Sequence, residues 1–188
     1  MILQRLKHET QSYHDQMEVI VDLPARLRSR EAYCAVLVRF YGFYAPVEAA
    51  LDRLDGLAHV LPDITVRRKT PLIACDLAAL GLSTHDLPWC AELPALPDVA
   101  HALGCLYVLE GATLGGQLIA RQLAAGPGVT SDRGGAFFHS YGKETGSMWR
   151  SFGAGLAEYA TTPECEATII GAAQQTFRAL EHWLAGKG

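Results

Sequence analysis

Gly111-Ala112-Thr113-Leu114-Gly115-Gly116 lies in the middle of an apolar run from Leu103 to Leu123. The run contains no proline and few polar residues, so it predicts a buried helix. Each glycine inside a helix costs about 1 kcal/mol against alanine, and three of them fall within six positions. A helix that tolerates this gains something from bare backbone. Either a second helix or a flat ligand comes close to the main chain there. The stretch alone favours helix packing.

Outward from this run, Asp98 is placed to cap the helix and Gly126-Pro127 to end it. On the N-terminal side, a first helix over residues 2–21 is predicted from Leu3, Leu6, Thr10, Tyr13, Met17 and Ile20, with Pro24 marking its end. A second helix over 30–54 carries Tyr33, Phe40, Tyr41, Phe43 and Tyr44, is disturbed at Pro46 and stops at Asp55-Gly56. Thr70-Pro71 reads as the N-cap and first turn of a short helix that Gly81 closes. Residues 87–97 form a connector and 126–136 a glycine-rich loop. Helices over 141–159 and from Thr162-Pro163 onward complete the chain. No strand alternation of useful length occurs. The expectation is an all-α fold of about six or seven helices, with residues 1–188 as a single domain.

Composition narrows the function classes. The formal net charge is −4 and the only basic triplet is Arg67-Arg68-Lys69, which reads as a solvated helix start rather than a nucleic-acid footprint. Five scattered cysteines without a C-x-x-C pair read as reduced packing residues of a cytoplasmic protein. The N-terminus lacks the apolar core of a signal peptide. The central run has a small-xxx-small pattern, but Glu110 near its centre speaks against lipid, so neither a membrane nor nucleic acid is expected as a partner.

No nucleotide-binding loop, serine-nucleophile elbow or two-histidine metal motif is present. His14 lies beside the first helix's apolar stripe with Glu18 one turn on; taken singly it reads as a hydrogen-bonded core or rim residue. Lys7 precedes it by two turns, about 10.5 Å along the axis, which is comparable to the reach from a porphyrin centre to its acidic edge. A neutral imidazole can hold haem iron while a cation meets a propionate. Taken alone, Lys7 is a solvated lysine and Arg150, beside Met148 and Trp149, a snorkelling arginine.

The stretches Leu6–Glu18 and Tyr107–Gln117, followed by Met148-Trp149-Arg150-Ser151, Thr162-Pro163 and Thr176-Phe177, resemble in order the helix signatures of haem oxygenases. The Val-Leu-Glu-Gly form of residues 108–111 is closest to bacterial members associated with phytochromes. The resemblance implies haem, as both cofactor and substrate, held between the first helix and the glycine helix and opened to biliverdin, carbon monoxide and ferrous iron. It implies His14 as the iron ligand and Gly111, Gly115 and Gly116 as the distal wall. Met17 and Phe177 become pocket walls, and Lys7, Arg150 and Tyr107 candidates for the propionate edge. The implied partners are O2, an external electron donor such as ferredoxin or a reductase, and a phytochrome as biliverdin acceptor. Two departures stand out. Ala112 occupies the place where many members have an aspartate that holds a proton-delivering water network. Leu106, not Tyr107, has the offset from Gly111 at which many members place a tyrosine, so Tyr107 would need a helix irregularity to reach that place. A haem-binding carrier or sensor, and a helical protein without haem, are the alternatives.

Overall fold

The computed structural model describes residues 1–186, apart from the side chains of Ile20, Val21, Pro24 and Ala25. The expected contributions of Ile20 and Pro24 therefore lie outside the described residues. The elements run α1 (Ile2–Val21), α2 (Leu23–Arg26), α3 (Arg30–Leu51), α4 (Leu57–Val60), a 3-10 turn (Ile64–Arg67), α5 (Thr70–Ala79), α6 (Val99–Ala125), α7 (Ala136–His139), a second 3-10 turn (Gly142–Glu144), α8 (Thr145–Tyr159) and α9 (Pro163–Leu184). Six of the helices have ten or more residues and there is no strand among the described residues, so the fold is all-α as expected.

Local chemistry explains most boundaries. Asp98 caps α6 by accepting from the His101 amide at 2.9 Å, and Thr162 caps α9 through the Cys165 amide at 3.2 Å. Asp22, in the left-handed conformation at φ 39°, closes α1. At Thr70 the outcome differs from expectation. The helix already includes Thr70, whose hydroxyl is buried without a partner, and the cap comes from another element. Glu48 of α3 accepts from the amides of Lys69 and Thr70 at 2.6 and 3.1 Å. A carboxylate from a neighbouring helix reaches two orphan amides at once and displaces the local hydroxyl.

The longest helix, α6, packs along α9, and α1 lies on α9 beside it. The crossing is tight at Gly104, where a Cβ would run into the Ile169 carbonyl and lie 2.7 Å from the Ala172 methyl. Helices α3 and α6 are long and apolar enough to cross a membrane by length and composition; 50% and 56% of their most apolar windows are buried in the protein, as in core helices.

The basic triplet is the clearest correction. Arg68 is exposed and pairs with Asp52, but Arg67 and Lys69 are only 3% and 2% exposed. Both point inward at Glu110, so the triplet is not a solvated helix start.

Candidate functional site

The end of α1 and the middle of α6 face each other across a cavity of about 440 Å³. That volume falls within the range of roughly 300–1,000 Å³ usual for small-molecule pockets. His14 and Met17 line one wall; Gly111, Ala112, Thr113, Gly115 and Gly116 line the other. Phe40, Tyr44, Phe137 and Phe138 close the inner end, while Leu118 sits at the mouth, 60% exposed. The walls are mainly apolar.

The three glycines of the central motif have different surroundings. A Cβ on Gly115 would point into open space, and one on Gly111 would meet only the Trp149 ring at 3.9 Å. A Cβ on Gly116 would lie 2.8 Å from the Phe138 carbonyl oxygen. The motif therefore serves close packing at one position and leaves open space at another. Gly116 lets α7 approach, and Gly115 leaves bare backbone on the cavity.

His14 is half exposed. Its ring nitrogens lie 3.8 Å from Asp15 and 3.8 Å from Glu18, outside hydrogen-bond range. Its ring stands edge-on to buried Phe177, with centroids 6.3 Å apart and planes at 78°. Phe177 thus touches the imidazole rather than forming a broad cavity wall. A nitrogen donor on one side and uncovered helix backbone on the other is an arrangement that fits a planar metallated ring.

Lys7 and Arg150 are exposed and lie outside the cavity lining. Tyr107 is also outside it. Helix α6 runs without irregularity from Val99 to Ala125, so Tyr107 keeps its regular position. There it packs on Trp149, centroids 5.7 Å apart. Burial raises its pKa against a hydrogen bond with the Thr10 hydroxyl. Ala112 offers the cavity only a methyl group. Thr113 spends its hydroxyl proton on the Glu110 carbonyl, 2.6 Å away.

Beneath the glycine wall lies a charged cluster. Glu110 accepts from Arg67 at 2.5 Å, from Lys69 at 3.1 Å and from the Tyr141 hydroxyl at 2.8 Å. Asp63 holds the other face of the Arg67 guanidinium at 2.7 and 2.8 Å. Burial lowers the Lys69 pKa, opposed by Glu110, and burial together with Glu110 pushes the Tyr141 phenol up. Lys69 and fully buried Tyr44 border both this cluster and the cavity. Sequence reasoning missed the cluster, although a lone carboxylate in an apolar run was itself a sign of a buried cation. It also missed the inner wall, since Phe137-Phe138 sits next to a stretch that reads as loop.

Fold and cavity together define an all-helical protein with a slot between its first and its longest helix. The chain belongs to the heme oxygenase family, whose model matches residues 1–185. It is similar to heme oxygenase PigA of Pseudomonas aeruginosa, with 31% identity over 124 residues, 65% of this chain and 61% of that protein. With the heme oxygenase of Xanthomonas campestris it shares 31% identity over 159 residues, 84% of this chain and 91% of that one. The NO- and CO-bound heme oxygenase of Neisseria meningitidis has the same fold, with a TM-score of 0.86 at 24% identity, covering 100% of this chain and 94% of that one.

Proposed function

We propose that this chain is a single-domain, cytoplasmic haem oxygenase that cleaves haem with O2 and external electrons to biliverdin, carbon monoxide and ferrous iron. The observation that carries the reading is that His14 and the bare backbone at Gly115 line the same cavity, within a chain matched by the family model over 1–185. The bound haem supplies the redox-active iron and the ring that is oxidised.

The protein's own part is positional. His14 would hold the haem iron, with Phe177 fixing the tilt of the imidazole by its edge-on contact. Gly111 and Gly115 would leave bare backbone against the ring, and Met17 would pack on it beside His14. The aromatic end-wall excludes water from the inner edge. Lys7 and Arg150, both exposed, would meet the propionates from the solvent side, and Tyr107 would lie behind them through its contact with Trp149. The partners in this reading are O2, a ferredoxin or reductase as electron donor, and a phytochrome as acceptor of biliverdin. Nucleic acid and membrane have no part in it.

Titration of the apoprotein with haemin tests the binding half: a Soret shift is expected, and His14→Ala should abolish the low-energy shift that ligation brings. Reductant and oxygen then test turnover. An intact porphyrin after many minutes under those conditions would mark a carrier. The relatives named for haem oxygenation favour turnover.

A further inference from the structure

Helix α7 has only four residues, and its own N-cap, Gly135, has no side chain to offer. Its orphan amides are served from α5 instead. Asp76, 2% exposed, accepts from the Ala136 amide through one carboxylate oxygen at 2.8 Å and from the Phe137 amide through the other at 2.7 Å. The loop just before is tied down as well, because Tyr33 donates its hydroxyl to the Gly134 carbonyl at 2.6 Å. On its far side α7 meets the glycine helix. The Phe138 carbonyl sits against Gly116, and the Gln117 amide donates to the His139 carbonyl at 2.8 Å.

This clamp holds the residues that end the cavity. The Phe137 ring lies 5.0 Å from Phe40 and 5.4 Å from Tyr44, and Phe138 lies 5.8 Å from Phe40, all as centroid distances. A one-turn helix has no intrinsic stability to keep two aromatic rings in register. Its placement depends on what grips its ends. We propose that Asp76, which does not touch the cavity, is a positioning residue for specificity: by fixing α7 it sets the aromatic end-wall, and with it the depth and in-plane rotation at which a planar tetrapyrrole is seated. In the haem oxygenase reading, on which this rests, that rotation decides which meso edge is opened.

The test uses the full chain with Asp76→Ala, Asp76→Asn and Phe137→Leu. In the apoprotein, amide exchange at Ala136 and Phe137 should accelerate by more than about tenfold in Asp76→Ala, since local opening no longer breaks those two bonds. With haemin and cyanide, proton NMR of the ferric complex should show a changed ratio of ring orientations. After turnover, chromatography should show the same change in the ratio of biliverdin isomers. Phe137→Leu should alter that ratio in the same sense, and Asp76→Asn, which keeps one acceptor, should fall between wild type and Asp76→Ala. Loss of fold alone would lower yield without moving an isomer ratio. If Asp76→Ala does not fold, Asp76→Asn carries the comparison. An unchanged orientation and isomer ratio in the folded Asp76 variants, or in Phe137→Leu, would overturn the proposal. Wild-type protein that binds haemin but forms no biliverdin would instead overturn the haem oxygenase reading, and the orientation ratio in the cyanide complex would still test Asp76.

Discussion

Glu110 and Arg67, 43 residues apart in sequence, meet at 2.5 Å with their side chains 2% and 1% exposed. An ion pair this deep is held by its whole shell, here Lys69, Tyr141, Asp63 and the Met148 carbonyl. Leaving one buried charge without its partner destabilises a fold by about 3–5 kcal/mol. Glu110→Ala should therefore lower the unfolding free energy by about that much, since it takes the ion-pair carboxylate from Lys69 and leaves Arg67 with Asp63 alone. Urea denaturation of the apoprotein measures this. A loss below about 1 kcal/mol would show that solvent reaches the cluster.

Adjacent glycines in α6 should respond in opposite ways. Gly115→Ala adds a methyl in open space within a helix, so apoprotein stability should rise by about 1 kcal/mol. Gly116→Ala forces a Cβ against the Phe138 carbonyl at 2.8 Å and should destabilise despite the same gain in helix propensity. A larger Gly115→Leu side chain would enter the cavity; haemin affinity should collapse while the apoprotein still melts near the wild-type temperature. Thermal melts with and without haemin separate these effects.

Acid stability has one assignable contributor at the start of α6. Partial burial of Asp98 works against ionisation, but hydrogen bonds from the His101 amide and ring outweigh it and hold the carboxyl below its usual range. The sign follows from the lowered folded pKa. The stabilisation is fully present above the unfolded value of about 3.9 and is lost as pH falls through the folded value. Asp98→Ala should cost about 1 kcal/mol at neutral pH, as N-cap removal does, and flatten the acid limb of the stability profile. An unchanged slope below pH of about 4 would exclude the assignment.

Much of this architecture is written in local pattern. The caps at Asp98 and Thr162, the extent of α1 and the continuity of α6 follow from side chains close in sequence. What escapes a linear reading is supplied across the fold. Glu48 caps α5 in place of Thr70, and Asp76 caps α7 from about sixty residues away. The site divides in the same way. His14, Met17 and the glycines sit on long periodic helices, and the structure brings them to one cavity. Phe137 and Phe138 carry no periodic signal, because one turn is too short to show any. Arg67 and Lys69 look like surface charges until their partner on a distant helix is known. Tyr107 shows the reverse limit: a one-residue offset in a regular helix turns a side chain by about 100°, so Tyr107 packs on Trp149 while Leu106 is buried beside the Glu110 cluster.

The near-contact of Gly104 with the Ile169 carbonyl has a mechanical consequence. From there α6 runs seven residues, about 10 Å, to Gly111 at the start of the bare stretch, while α1 rides on α9. Gly104 thus sets how closely α6 lies on α9, the helix that also carries α1 and its imidazole. A single methyl at residue 104 would push α6 off α9 and so, on the proposed reading, change the spacing between imidazole and naked backbone from a position outside the cavity lining.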